Sequence, residues 1–183
     1  MARGPGVAEP SARPERQTFF IGMDPGITGA VALLDHRKHE VLIEDMPTVT
    51  MKISGRNRNR IVEPVLAAVL REWALTRDIF AVIEQVGAMP GQGVTSTFTF
   101  GMSFGICTGV LAGLNIPSET VRPQEWKKLV RVPRGKDASR AMAARLFPRQ
   151  AALFARKRDD GRSDAVLLAI AAHKLHQQNK FVD

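Results

Sequence analysis

Two apolar runs of strand length, each ending on an acid with no cation beside it, limit the architectures open to this chain. Residues 18–23 (TFFIGM) run into Asp24, and residues 79–83 (IFAVI) run into Glu84. Short runs of apolar, β-branched and aromatic residues are buried strands, and strands buried on both faces belong to sheets covered by helices. The carboxyl ends of such strands are where α/β sheets place their sites. Both acids therefore stand where chemistry is expected. Asp24 also suits a turn, because Pro25 presets the second position and Gly26 can supply a positive φ at the third.

The remaining periodicities fill in an α/β domain. Residues 29–35 (GAVALLD) and 40–46 (EVLIEDM) read as two strands that follow the first in antiparallel order. Residues 47–60, with Lys52, Arg56, Arg58 and Arg60 among Ser, Gly and Asn, read as a mobile basic loop. Ile61, Val65, Leu66, Val69, Leu70 and Trp73 recur at helical spacing over 61–76. Residues 79–83 form a parallel strand and 116–121 another. Two short helices follow at 124–131 and 137–146, and a last helix spans 160–177. The whole predicts a mixed central sheet, antiparallel hairpin strands continued by parallel ones, flanked by helices over residues 18–178. Residues 1–17, with Pro5, Pro10 and Pro14, read as a flexible tail without a signal-peptide core, and 179–183 as a second tail.

Residues 86–118 carry no charge, and Gly101, Gly105, Gly109 and Gly113 fall on one helical face. Such a stripe occurs in membrane helices. The Thr and Ser content, Pro90 and Gly93 favour instead a buried helix whose glycines admit close packing, with Phe98, Met102 and Phe104 filling the core. No membrane partner is expected. The single cysteine, Cys107, rules out a disulfide framework and fits a reducing, cytoplasmic setting, bacterial or phage-infected, with an organellar origin also open.

The formal net charge of +8 is local: residues 122–158 hold 12 Lys/Arg against 2 Asp/Glu, and the rest of the chain sums to −2. A basic segment on a nearly neutral body suits a polyanion such as nucleic acid. On the last helix Asp160 and Asp164 are four apart and share a face. Asp159 or Asp160 can equally cap that helix and complement its dipole. If the shared face meets the strand ends, three or four carboxylates converge, and an oxygen-only set suits Mg²⁺ or Mn²⁺.

As a set, Gly22-Met23-Asp24-Pro25-Gly26 with Gly29, Ile83-Glu84-Gln85-Val86, the Gly101/Gly105/Gly109 run and the terminal Asp-Gly-x-x-Asp-Ala helix resemble the RuvC-type Holliday-junction resolvases of the RNase H-like superfamily. The segments 122–128 (RPQEWKK) and 135–137 (GKD), with Phe147-Pro148, look like the phage-encoded or phage-derived branch. The resemblance implies an RNase H-like fold, a homodimer, and a crossover junction endodeoxyribonuclease that leaves a 5′ phosphate. It implies two Mg²⁺ ions about 3.5 to 4 Å apart, with Asp24, Glu84 and Asp164 as catalytic metal ligands and Mn²⁺ as a substitute. The fourth acid departs from the bacterial pattern: Gly161 stands where an Asp is usual, and Asp160 is the expected replacement, with Gly161 beside it leaving room for a phosphate or ion to approach the backbone. Gly87 stands where bacterial members carry an aromatic. Lys127, Lys128 and Lys136 are candidates to hold phosphates near the metals, and Arg56, Arg58 and Arg60 to contact DNA.

Two other functions are open to these residues. Asp24, Gly26 and Thr28 also match the phosphate loop of actin-like and sugar-kinase phosphotransferases, which close two such lobes over a nucleotide; one lobe is expected here, and no nucleotide cofactor. The other is a non-catalytic branched-DNA-binding module, against which stands the complete set of carboxylates.

Overall fold

A computed structural model describes residues 17–53, 55–85, 87, 91 and 93–179; the predicted tail at 1–17, save Gln17, and the last four residues lie outside them. The chain forms β1 (Thr18–Met23), β2 (Ala30–Asp35), β3 (Glu40–Asp45), β4 (Thr48–Ile53), β5 (Arg56–Ile61) and α1 (Glu63–Ala74). There follow β6 (Asp78–Glu84), α2 (Val94–Gly113), β7 (Ser118–Val121), α3 (Pro123–Val130), α4 (Ala138–Leu146), two 3-10 turns (Pro148–Phe154 and Lys157–Asp159) and α5 (Asp160–Asn179). Five strands make one sheet in the order β3-β2-β1-β6-β7, antiparallel from β1 to β3 and parallel from β1 to β7. This is the mixed sheet expected from the sequence.

Strand alternation divides the core into two layers. Phe20, Ala32, Leu34 and Val82 face α5 together with Trp126 and Phe154, whereas Ile21, Met23, Leu33, Ala81 and Ile83 face Leu66, Leu70 and Trp73 of α1 and Cys107 and Leu111 of α2. The central strand takes α5 at very short range. A Cβ on Gly22 would lie 2.0 Å from the carbonyl oxygen of Ala165 and 2.2 Å from the nitrogen of Ala169, so only a residue without a side chain lets the helix settle there.

The structure corrects three expectations. Residues 47–60 are not a mobile loop: β4 and β5 pair antiparallel, Met51 opposite Arg58, as a separate two-stranded sheet turning through Gly55 at φ 77°. Arg56, Arg58 and Arg60, two apart, share one face of that hairpin. Second, α2 is not a buried helix. It has 20 residues, and an 18-residue window of it has a mean hydropathy of 1.3, enough by length and composition to cross a membrane, with 17% of that window buried. Its core stripe is Ser103, Cys107 and Leu111; Gly101, Gly105 and Gly109 are two positions away, about 200° round the helix, and face open space, as does Gly113. Phe98, expected to help fill the core, is 70% exposed. Third, Gly26 is not among the residues at positive φ; the turn is closed instead by the Asp24 carboxylate, whose Oδ1 accepts from the Gly26 N–H at 3.0 Å.

Candidate active site

Register places the first two acids side by side. Gly22 pairs with Val82 and Met23 with Ile83 in the parallel β1–β6 ladder, so Asp24 and Glu84 come next in step, on the face that Phe20, Gly22, Val82 and α5 share. The third acid arrives on α5. Besides its seat on Gly22, this helix is held at its start by Gly161, where a Cβ would meet the carbonyl oxygen of Thr28 at 2.4 Å and the Cα of Gly29 at 2.7 Å. The space beside Gly161, expected from the sequence to admit an ion or phosphate, is therefore filled by the loop that follows Asp24. That contact brings Asp164, one turn further on, to the strand ends.

Electrostatics show that these three acids feel one another. Burial raises the Asp24 carboxyl to about 7; the Gly26 N–H opposes it, Glu84 and Asp164 add to it, and the Lys127 ammonium opposes it. Glu84 is raised by burial, lowered by a hydrogen bond from Trp126, raised by Asp164 and lowered by Lys127. Asp164 is raised by burial, lowered by a hydrogen bond with Ser139 and by Lys127, and raised by Asp160. Lys127 is thus the one predicted lysine that acts on all three carboxylates. Lys128 and Lys136 are exposed and have no such part in the cluster. Burial, with a further push from Asp24, also lifts the neighbouring Cys107 thiol to about 12, so it is an inert core residue.

Asp159 and Asp160 have different surroundings. Asp159 is buried; its carboxylate accepts from the Arg156 backbone N–H at 2.8 Å and from the Arg156 guanidinium at 2.9 Å, and lies 3.7 Å from Arg162. Arg162 in turn grips Asp45 at the end of β3 through two bonds of 2.6 Å. Asp159 therefore ties the start of α5 to the sheet. Asp160 is exposed at the rim, 2.8 Å from the Arg140 guanidinium and within charge range of Asp164.

Trp126 was not singled out as a site residue by sequence reasoning. It is fully buried, and its indole N–H donates to Glu84 Oε1 at 2.9 Å. The signal available was its place beside Lys127 in the RPQEWKK segment. Beside the cluster, a groove of about 670 Å³ runs between the hairpin and the start of α2, lined by Gly26, Ile27, Arg58, Asn59, Thr95 and Phe100. Arg58 thus borders the Asp24 turn, whereas Arg60 leans on the Met102 sulfur at 3.5 Å.

Among the described residues, no group of three His, Cys, Asp or Glu side chains is already arranged as a metal-binding cluster. The donor set nonetheless fits a hard divalent cation. All three central acids offer oxygen, burial opposes their charge, and Asp164 Oδ1 is buried without a hydrogen-bond partner, the condition that an oxygen-seeking cation relieves.

Comparison with known proteins points the same way at the level of the fold. No family model matches the chain. The chain superimposes on Thermus thermophilus RuvC bound to a Holliday junction substrate with a TM-score of 0.52, 12% identity, and coverage of 87% of this chain and 96% of that one. A second Thermus thermophilus RuvC structure gives a TM-score of 0.51 at 14% identity over 88% of this chain and 96% of that one. The architecture therefore matches the RNase H-like fold that these structures share. By sequence the chain is similar to the chloroplastic Holliday junction resolvase MOC1 of Chlamydomonas reinhardtii, 31% identical over 113 residues, which is 60% of this chain and 13% of the length of that relative.

Proposed function

We propose that this chain is a structure-selective DNA endonuclease that hydrolyses phosphodiesters at four-way junctions or related branched DNA. The observation that carries the reading is the meeting of Asp24, Glu84 and Asp164, from two strands and a helix, as buried, mutually interacting carboxylates at one end of the sheet. The RuvC fold and the resolvase named among the chain's relatives support it. Assignment to the phage branch rests on the RPQEWKK and GKD segments and Phe147-Pro148, beside a chloroplastic relative and bacterial structures.

In this reading Asp24, central to the cluster, would hold the metal together with Glu84 and Asp164, and Asp160 would complete the set from the rim. The chemistry supplied there by two Mg²⁺ ions, or by Mn²⁺, is a lowered pKa for an attacking water and relief of charge at the leaving 3′ oxygen, giving a 5′ phosphate. Lys127 offsets the negative charge of the carboxylates and receives the incoming phosphate. Lys128, Lys136 and the hairpin arginines Arg56, Arg58 and Arg60 hold flanking backbone phosphates, which position DNA without reading its sequence.

The reading includes a homodimer, since two-fold symmetry matches two strands cut in symmetry-related positions. Its surface is the open face of α2, where Val94 and Phe98 are 87% and 70% exposed on the same side as Gly101 and Gly105.

The test is cleavage of matched four-way, three-way, flap and linear duplex DNA with Mg²⁺. Incision of branched substrates in preference to linear duplex, abolished by EDTA, is expected; equal cutting of linear duplex removes the structure selectivity, and no cutting of any substrate removes the nuclease.

A further inference from the structure

A tryptophan can be buried for bulk alone, but the one polar atom of Trp126 is used. Its Nε1–H reaches from α3 to the end of β6 and donates to Glu84 Oε1 at 2.9 Å, linking residues 42 apart in the chain. An indole can only donate, so this bond requires an acceptor oxygen and commits one of the two carboxylate oxygens of Glu84. The ring is in use as well: the Lys127 ammonium lies 5.1 Å from its centroid, a cation–π contact, while acting on Asp24, Glu84 and Asp164 together.

The element that carries this pair is fixed at both ends. Pro123 starts α3, the Glu125 side chain accepts from the Arg122 backbone N–H at 3.2 Å, and Arg131 ends the helix in the left-handed region at φ 65°. Lys174 of α5 donates to the Leu129 carbonyl at 3.1 Å, so α3 is also tied to the helix that brings Asp164. A group on such an element can hold a ligand in a set orientation, as partners behind metal ligands do elsewhere.

We propose that Trp126 is a positioning residue of the metal centre: its indole N–H orients the Glu84 carboxylate for ligation, and its ring seats Lys127 beside the same carboxylate. The proposal rests on the reading of Glu84 as a metal ligand. The chain has two tryptophans, Trp73 and Trp126, so a ¹H–¹⁵N spectrum of the full chain shows two indole signals, and Trp73→Phe assigns them.

Titration with Mg²⁺ should move the Trp126 indole signal along the binding curve measured by calorimetry and leave that of Trp73 in place. Trp126→Phe, which keeps an aromatic and removes the donor, should bind Mg²⁺ about ten- to a hundredfold more weakly, with the Trp73 signal reporting an intact fold. If that variant does not fold, the titration of the unaltered protein decides. Calorimetric Mg²⁺ binding that is lost in Asp24→Asn but leaves the Trp126 signal unmoved overturns the proposal and spares the site. So does undiminished binding by a folded Trp126→Phe. Absence of Mg²⁺ binding in the unaltered protein overturns the site reading and the proposal with it.

Discussion

Asp159 and Asp160 are adjacent, yet one is buried among arginines and the other stands at the mouth of the site. Their contrast gives a prediction at the scale of single residues. Asp159→Asn weakens the charge-assisted bonds that tie Arg156 and Arg162 to the start of α5, so it should lower the melting temperature by about 5 °C while leaving most cleavage intact. Asp160→Asn removes an exposed carboxylate beside Asp164 and should reduce cleavage with little change in melting. Thermal denaturation and a junction-cleavage assay on both variants check this; the reverse pattern assigns the fourth carboxylate to Asp159. Helical spacing made the shared face of Asp160 and Asp164 legible, because a period of 3.6 is written in the sequence. It could not show that Arg156 and Arg162 close on Asp159, since that depends on where a 3-10 turn folds back. Gly161 was misread for a similar reason: a glycine signals that something comes close, and here it is the backbone of Thr28 and Gly29.

Elements with an apolar stripe were legible, and those without one were not. The sheet strands and α5 follow from runs such as FFIGM and AVLLAIAA, whereas β5 (RNRNRI) has only one residue, Ile61, in the core. Its strand pairing is held by backbone bonds to β4, whose Val49, Met51 and Ile53 remain 45%, 46% and 41% exposed. In α2 two stripes of period four compete, and nothing in the sequence says that Ser103, Cys107 and Leu111 face inward while the glycines face out. With its three arginines on one face, the hairpin is proposed as a phosphate-binding ribbon. Arg56, Arg58 and Arg60 changed together to Ala should weaken junction binding and reduce the slope of log affinity against log salt by about 2 to 3; an unchanged slope in a binding titration places the DNA elsewhere. A second element-scale expectation concerns the far half of α5, where His173 stacks on His36 at 4.4 Å and both rings meet Phe20. Burial lowers the pKa of His36, with Arg37 adding and Asp35 opposing; burial lowers that of His173, with His36, His176 and Lys174 adding. Both folded values lie below 6.5, so the unfolded chain protonates first on acidification. Their stabilising contribution is complete above about 6.5 and is lost as pH falls through the folded values. Melting temperature should fall between pH 7.5 and 5.5, and less steeply in His173→Phe; equal slopes remove the pair as the cause.

At the scale of the whole molecule, three dispersed segments become one site because a parallel register aligns Asp24 with Glu84 and two glycine contacts seat α5 against them. The strand ends and the terminal helix were legible as separate acids. Their convergence was expected from the resemblance and depends on packing that spacing does not encode. The basic residues divide across the molecule in the same manner: Lys127 enters the cluster, while Lys128, Lys136 and the hairpin arginines lie outside it and are proposed to meet a long polyanion. The most direct test of the central claim is a gel assay on a labelled four-way junction comparing the unaltered chain with Asp24→Asn and Glu84→Gln in Mg²⁺, alongside binding of the same DNA. Paired nicks by the unaltered chain are expected, with cleavage falling to background in both variants and in excess EDTA while binding persists, because on the proposed reading each substitution removes a metal ligand and also a negative charge facing phosphate. Undiminished cleavage in either variant, or full activity in excess EDTA, would contradict a metal-dependent site built on these carboxylates.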